Sequence, residues 1–209
     1  ASDLHLSPGV PPTIRVNGRL IPLSQRPILD PETLNGLILA LLGERRLRFE
    51  SEKELDFSYF LDGARFRINT YVTKGFYSAT CRYIPDRILS IEDLNLPPIV
   101  KIFSKLSQGF VLIAGPNGHG KSTTLASLID LINKERAEKI ITIEDPIEYV
   151  FSNQRGIIDQ RELYQDTLSF HKALRSTMRQ NVDVIMVGEL RDYETMSAAV
   201  TAAETGHLV

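Results

Sequence analysis

The sequence contains few of the residues that build disulfides, metal clusters or membrane spans. Its 209 residues include one cysteine, Cys81, and no tryptophan. A single cysteine excludes an intrachain disulfide and a zinc site built from several cysteines. No apolar run approaches the roughly 20 residues that a transmembrane helix needs, and residues 1–15 lack the pattern of a secretory signal peptide. These absences favour a globular protein in a reducing, cytoplasmic setting, without direct insertion into a membrane.

The charges nearly balance. Lys and Arg number 24 and Asp and Glu number 26, a formal net charge of −2. No global positive field draws the chain to an anionic polymer, so we expect no nucleic-acid partner. The length fits one large domain or two small ones. Because the chain begins without Met and ends where an apolar strand starts, we expect a fragment truncated at its C-terminus.

The first half alternates short strands and turns around one helix. Asn17-Gly18 lies between two apolar runs and predicts a hairpin. Pro31 to Leu42 has helical spacing, with Asp30 as N-cap and Gly43 as a stop. Strands are predicted over residues 4–6, 13–16, 19–23, 55–61, 65–72 and 76–84. Together these elements predict a small α+β domain over residues 1–88.

The second half alternates apolar strands with helices. Residues 89–98 are predicted to be a linker with a short helix, closed by Pro97-Pro98. After it, helices are predicted over residues 99–107, 121–134, 168–179 and 192–203, and strands over residues 109–114, 139–144 and 184–187. Buried strands that alternate with helices are typical of a parallel sheet. Residues 99–209 are therefore predicted to form an α/β domain.

A glycine-rich segment between a predicted strand and helix carries the strongest chemical signal. Gly115-x-x-x-x-Gly120-Lys121-Ser122 fits the phosphate-loop pattern, whose backbone N–H groups surround phosphates. Lys121 is expected to reach the phosphates and Ser122 to bind Mg²⁺. The alternative is a glycine-rich turn with an incidental lysine. The predicted ATP-binding residues are Gly115, Pro116, Asn117, Gly118, His119, Gly120, Lys121, Ser122 and Thr123.

Acidic residues follow the two neighbouring apolar strands. Glu189 ends the run Val184–Val187-Gly188 and is a candidate Mg²⁺ ligand and catalytic acid, since carboxyl ends of parallel strands share one edge. Glu144 could position and deprotonate the attacking water, with Glu148 assisting. Surface acids are the alternative for each. His207 follows a predicted helix. It is either a C-terminal cap of that helix or a catalytic group.

Three arginines lie on predicted strands of the first domain. Arg65 and Arg67 share one strand face by period two, and Arg82 lies on the next strand. They are either solvated edge charges or residues that reach a triphosphate held by a neighbouring subunit, as arginine fingers do. His119 leaves two interpretations as well, a proton-transfer group or a side chain that faces solvent while its backbone serves the loop.

Eight sequence blocks, taken in order, resemble the type IV pilus retraction ATPases (PilT-like proteins) of the secretion ATPase superfamily. The similarity runs nearly from end to end. The matching blocks are residues 1–6, Pro11-Pro12 through Gly18, 64–69, the phosphate loop with 142–149, 160–162, 166–175, 187–192 and 202–209.

The resemblance implies a RecA-like P-loop ATPase core, preceded by a PAS-like domain. It implies a cytoplasmic homo-hexamer, peripheral to the inner membrane and working with an inner-membrane pilus platform protein. Glu144 is then the catalytic acid, Glu189 the Walker B acid and His207 part of a His box. The trans contacts come from Arg67 and Arg82, with Arg65 a further candidate.

The implied function is an ATP-hydrolysing hexameric motor that powers pilus retraction and twitching motility. The alternatives are an assembly or type II secretion ATPase of the same superfamily, and a nucleotide-binding regulatory subunit without turnover. The chain departs from the family at Asn117 and His119, where Thr and Ser are usual. The backbone cradle should survive both changes, whereas the bulk of His119 could slow turnover.

Overall fold

The computed structural model describes residues 1–84, 87–116 and 118–209. The chain divides into two compact units, residues 1–85 and 86–209. The boundaries expected from sequence, a domain over 1–88 and a linker over 89–98 before the second domain, remain a prediction. Asn117 lies outside the described residues, so its expected place in the phosphate loop also stays a prediction.

The first unit is built on an antiparallel sheet. Among the described residues this sheet has six strands in the order β3-β2-β1-β6-β5-β4. The strands are β1 (Asp3–Leu6), β2 (Thr13–Val16), β3 (Arg19–Pro22), β4 (Glu54–Leu61), β5 (Ala64–Thr73) and β6 (Phe76–Ile84). Asn17 and Gly18 join β2 to β3 with φ of 48° and 79°, the left-handed pair that a tight hairpin turn requires. The predicted strands of this half are confirmed.

Two helices cover one face of this sheet. The first, α1 (Pro31–Leu42), begins where predicted, because the Asp30 side chain accepts a hydrogen bond from the Thr33 N–H at 2.9 Å. The second, α2 (Arg46–Glu52), was not predicted from sequence. Only Phe49 of α2 is buried, so its sequence has no apolar period to reveal it. Ion pairs four residues apart, such as Arg46 with Glu50 at 2.7 Å, lie on its exposed side.

The core of the first unit lies between these helices and the sheet. Its buried members are Leu6, Leu29, Leu34, Ile38, Leu42, Phe49, Leu55, Phe57, Ile68, Ala79 and Cys81. Cys81 is a free thiol. Burial raises its pKa to about 11, so the thiol is protonated at neutral pH and behaves as a small apolar side chain.

The second unit is built on a parallel sheet in the order β8-β7-β9. Its elements are α3 (Lys121–Glu135), β7 (Lys139–Glu144), β8 (Ile157–Glu162), α4 (Phe170–Thr177), β9 (Val184–Val187) and α5 (Tyr193–Glu204). Side chains of α3 pack on one face of the sheet, against Ile140 and Val184. Those of α4 and α5 pack on the other, against Ile141 and Ile185. The predicted α/β architecture is confirmed.

The helix predicted over residues 99–107 is present but is not an α-helix. Pro98–Lys105 form a 3₁₀ helix instead. Ile99 and Ile102 are largely exposed, so this segment lacks the apolar packing that stabilises most α-helices in proteins. The short helix expected within the linker is absent from its described residues, which form a turn over 91–95.

The predicted strand over residues 109–114 was also wrong. Gly109 forms an isolated bridge with Leu208, and residues 110–114 have no strand assignment. The backbone N–H of Gly109 donates to the carbonyl of His207 at 3.0 Å, and that of Val111 to the carbonyl of Val209 at 2.8 Å. Both bonds join this segment to residues 207–209.

Sequence analysis missed β8. Its residues are Ile157, Ile158, Asp159, Gln160, Arg161 and Glu162, and four of the six are polar, which is unusual for a strand beside a buried neighbour. Over the part of the chain that the structure describes, no helix has the length and apolar character to cross a membrane.

Candidate nucleotide-binding site

The phosphate loop enters α3 through two glycines in left-handed conformations. Gly118 has φ 78° and Gly120 has φ 80°, a region that side chains with a Cβ rarely adopt. The Lys121 ammonium donates to the carbonyl of Pro116 at 2.9 Å, closing the loop on itself. Loop residues 115, 116 and 118–120 are exposed. The backbone is therefore shaped and accessible for an anion at the start of a helix.

A glycine brings the end of β9 against the end of β7. The backbone N–H of Gly188 donates to the carbonyl of Ile143 at 2.8 Å. A Cβ on Gly188 would lie 3.2 Å from that carbonyl oxygen and 3.4 Å from Cα of Glu144. The absence of a side chain thus permits a close approach of the segments that carry Glu144 and Glu189.

One cavity brings the loop and the β9 acid together. Its volume is about 370 Å³, and Lys121, Ser122, Gly188 and Glu189 are among its lining residues. Most of the other lining residues are apolar, such as Leu125 and Ile129 of α3. The Glu189 carboxylate forms an ion pair with Arg191, in which Oε1 lies 2.7 Å from Nε. Ser122 and Glu189 thus line one cavity, and their expected roles as Mg²⁺ ligands remain predictions.

Glu144 is a buried carboxyl with three hydrogen-bond donors around it. Its exposed fraction is 6%. The Thr142 hydroxyl donates to Oε1 at 2.6 Å, Nε2 of Gln160 donates to the same oxygen at 3.2 Å, and the Glu148 N–H donates to Oε2 at 3.3 Å. Burial raises the pKa of Glu144 above its ordinary value, although these three bonds oppose the effect. The carboxyl is both fixed in place and more basic than a solvated one.

The segment after β7 also contacts the first turn of α3. The hydroxyl of Tyr149 lies 3.0 Å from the Thr123 hydroxyl. Thr123 follows Ser122 in the phosphate-loop helix, so this contact joins the start of α3 to the segment after β7. Glu148 is partly buried, and its backbone rather than its side chain makes the contact with Glu144. Tyr149 and Gln160 were not predicted as site residues. Their presence in the matched blocks 142–149 and 160–162 was the available signal.

His207 lies at the C-terminal end of α5. Its Nδ1 is 2.9 Å from the carbonyl of Ala202 and 3.4 Å from the Thr205 hydroxyl. Because a carbonyl only accepts, Nδ1 carries a hydrogen in this contact. These contacts match the capping interpretation of His207 and leave its expected catalytic role a prediction.

The three candidate trans arginines lie on one face of the first unit's sheet. Arg67 and Arg82 are direct partners across β5 and β6. Nε of Arg82 donates to Asp3 at 2.8 Å, Nη2 of Arg67 donates to Asp56 at 3.4 Å, and Nη2 of Arg65 donates to Ser58 at 2.9 Å. The Arg82 side chain is 64% exposed despite its ion pair, so its guanidinium is accessible to a second charged group.

A divalent cation would need ligands beyond this chain. No group of three or more His, Cys, Asp and Glu side chains able to hold a metal exists within residues 1–84, 87–116 and 118–209. Ser122 and Glu189 offer two oxygen ligands at the shared cavity. Mg²⁺ commonly takes one or two protein ligands and completes its octahedron with phosphate oxygens and water. The donor set therefore fits Mg²⁺ bound together with a phosphate ligand.

A parallel sheet, a glycine loop that opens a helix and acids at the ends of adjacent strands define a phosphate-loop protein of the α/β class. Residues 66–209 match the family model described as "Type II/IV secretion system protein". That match covers more than half of the sequence, and the chain belongs to this family.

Several proteins resemble the chain over nearly its whole length. The Type IV pilus retractation ATPase PilT of Pseudomonas aeruginosa is 44% identical, over 100% of this chain and 61% of that protein. A twitching motility protein of Neisseria gonorrhoeae is 44% identical, over 95% of this chain and 53% of that protein. The crystal structure of the pilus retraction motor PilT with bound ADP superposes with a TM-score of 0.95 at 45% identity, over 100% of this chain and 62% of that one. The predicted fold class is confirmed, and the chain spans a little over half the length of these relatives.

Proposed function

We propose that this chain is the nucleotide-binding part of a motor ATPase that hydrolyses ATP. The observation that carries the proposal is Glu144, a buried and triply hydrogen-bonded carboxyl. Glu144 is the last residue of β7, the strand next to β9. The acid that follows β9, Glu189, lines one cavity with Lys121 and Ser122 of the phosphate loop. A glutamate without a catalytic role would be exposed to solvent at the end of the strand. Glu144 is instead buried and held in one orientation by its hydrogen bonds.

The binding roles follow from charge and geometry. Backbone N–H groups of Gly115, Asn117, Gly118, His119 and Gly120 surround the phosphates, and Lys121 adds a positive charge. Pro116 belongs to the same loop but has no backbone N–H to donate. Ser122 and Glu189 hold Mg²⁺, and Thr123 follows in the first turn of α3. When bound, Mg²⁺ neutralises part of the phosphate charge. The exposed His119 leaves the cradle intact, since the cradle is formed by the backbone.

The hydrolytic role belongs to Glu144. Its carboxylate accepts a proton from the attacking water, and the raised pKa makes it a better acceptor than a solvated glutamate. Glu148 positions the acid through its backbone N–H, a function that any residue other than proline would keep at this position. His207 and the side chain of Glu148 remain weaker candidates for direct contact with the reacting groups.

The motor role rests on relatives and on the arginine face. The names of the two relatives describe pilus retraction and twitching motility. We infer a cytoplasmic homo-hexamer, peripheral to the inner membrane, that acts on a pilus platform protein. Arg67, Arg82 and Arg65 then reach the triphosphate of the neighbouring subunit and add positive charge to that of its Lys121.

The hydrolysis proposal is tested with purified full-length protein. Lys121→Ala should abolish binding of a fluorescent ATP analogue and phosphate release. Lys134→Ala is the matched control, because Lys134 lies on the same helix and pairs with Asp130 at 2.5 Å, at the opposite end from the loop. Wild-type protein that binds ATP without releasing phosphate would favour the regulatory-subunit alternative and refute the hydrolysis proposal.

The direction of the motor is tested in cells that lack the gene. Loss of a retraction motor should leave surface pili in place while twitching stops, whereas loss of an assembly or secretion motor should remove pili or secretion. Complementation with Lys134→Ala but not Lys121→Ala should restore twitching. Cells without surface pili would contradict retraction and favour the assembly alternative.

A further inference from the structure

The side-chain amide of Gln160 joins three points of the candidate site. Nε2 donates to Oε1 of Glu144 at 3.2 Å and to the carbonyl of Tyr149 at 2.7 Å. Oε1 accepts from the backbone N–H of Phe151 at 2.8 Å. A carbonyl only accepts and a backbone N–H only donates, so these two partners fix which end of the amide is nitrogen. Both amide hydrogens and the carbonyl oxygen are therefore in use.

The position of Gln160 in the sheet explains this reach. Gln160 is the register partner of Thr142 across β8 and β7, and Glu162 is the partner of Glu144. Side chains two residues apart share a face, so Thr142, Glu144 and Gln160 project on the same side of the sheet. The Gln160 amide therefore bridges Glu144, the last residue of β7, and Tyr149, five residues further along the chain.

The donors divide unequally between the two carboxyl oxygens. Thr142 and Gln160 both donate to Oε1, whereas among residues 1–84, 87–116 and 118–209 the one donor to Oε2 is the Glu148 N–H, through a longer bond. A carboxylate oxygen has about two lone-pair positions, so Oε1 is filled and Oε2 retains one. Oε2 is the oxygen left to accept a proton.

We propose that Gln160 is a positioning residue for hydrolysis, which occupies Oε1 of Glu144 and presents Oε2 to the attacking water. This inference rests on the proposed role of Glu144 as the proton acceptor. Gln160 itself contacts neither nucleotide nor water in this assignment. A misplacement of the acceptor by about 1 Å can reduce a rate by roughly 10²-fold.

Gln160→Glu tests the assignment with little change of shape. The new carboxylate keeps an acceptor for Phe151 but faces the Glu144 carboxylate and the Tyr149 carbonyl with no hydrogen to donate. Gln154→Glu is the matched control. Nε2 of Gln154 donates to Asp130 at 3.2 Å, away from Glu144, so the same substitution also sets one carboxylate against another.

The expected result is a drop in kcat of about 10²-fold for Gln160→Glu with the KM for ATP changed by less than about threefold. Gln154→Glu should keep wild-type kcat. Gln160→Met, which keeps volume without hydrogen bonds, should show the same loss of kcat at normal affinity for a fluorescent ATP analogue. If both Gln160 variants lost ATP affinity and kcat together, the residue would be structural and the inference wrong.

The outcomes also separate this inference from the proposed function. Normal kcat in Gln160→Glu, combined with loss of turnover in Glu144→Gln, would overturn the positioning role and leave the hydrolysis proposal standing. Normal turnover in Glu144→Gln, or no turnover in the wild type, would overturn the hydrolysis proposal and this inference with it.

Discussion

Glu144→Gln should change the rate of hydrolysis and the stability of the fold in opposite directions at high pH. The substitution keeps the size of the side chain and can keep an oxygen for the bonds from Thr142 and Gln160. It removes the group that accepts a proton. It also removes a carboxylate from a site where only 6% of the residue is exposed.

The loss of rate follows from general base catalysis. Proton transfer by a positioned side chain contributes typically about 10²–10⁴-fold, which corresponds to roughly 2.7–5.4 kcal/mol of the activation barrier. We expect kcat of the Glu144→Gln variant to fall by that factor, with ATP affinity retained because Lys121 and the loop are unchanged.

The effect on stability depends on pH. Burial raises the native pKa of Glu144 above its value in the unfolded chain, so the native state binds more protons between the two pKa values. Wild-type stability therefore falls, by about 1.4 kcal/mol per pH unit at most, as pH rises through that interval. The variant lacks this contribution. It also loses the acceptor for the Glu148 N–H, at a cost of about 1 kcal/mol that does not vary with pH.

The assay is urea denaturation of wild type and variant at pH 4.5, 6 and 8, followed by hydrogen exchange in residues 139–162. The free energy of unfolding of the variant minus that of the wild type should increase from pH 4.5 to pH 8. A difference that stays constant over this range would refute the account of Glu144 as a carboxyl with a raised pKa. Asp130→Asn serves as a control, since its carboxyl lies at the far end of α3 and pairs with Lys134.

Three further predictions use other parts of the structure. Gly156→Ala should destabilise the fold by about 1–3 kcal/mol in urea denaturation, because a Cβ there would lie 2.6 Å from the Glu138 carbonyl; Gly36→Ala, at an open helical position, should instead stabilise it by about 0.5–1 kcal/mol. The same sign for both would contradict the packing described around Gly156. Cys81 should react with a thiol reagent in the native protein at least about 100-fold more slowly than after unfolding, since its thiol is buried and its pKa is about 11; rapid native labelling would show that this core opens. Tyr149→Phe should lower kcat less than Gln160→Glu does, because it removes one contact to Thr123 at 3.0 Å and leaves the Gln160 bonds in place. An equal or larger loss of kcat would show that the Thr123 contact contributes more to hydrolysis than the Gln160 amide does.

Local signals were sufficient for the elements whose ends are fixed by their own residues. Asp30 and Gly43 mark α1, and Asn17-Gly18 marks the first hairpin, because caps and left-handed turns depend on a few adjacent positions. The phosphate loop was recognisable for the same reason. Its glycines are required by the left-handed backbone conformation of the loop itself, not by packing against distant residues.

Tertiary contacts decided the elements that sequence analysis missed. β8 is largely polar, so it lacks the apolar composition of a buried strand. The hydrogen-bonding groups of its residue Gln160 find their partners in the segment after β7, including the Tyr149 carbonyl. Conversely, the apolar run 109–114 has strand-like composition, and the backbone bonds described for it join Gly109 and Val111 to residues 207–209. The site could be predicted as far as its acids, while the amide that holds Glu144 became visible only once β7 and β8 were paired.

The hydrogen bond from Lys121 to the Pro116 carbonyl bears on which ligands the loop can bind. One of the three N–H donors of the ammonium already has a neutral acceptor within its own loop, and the other two can bind an incoming phosphate. Selectivity at this lysine then comes from the net charge of the newcomer, because a neutral oxygen offers nothing that Pro116 does not. The loop can thus discriminate against uncharged competitors before any acid takes part.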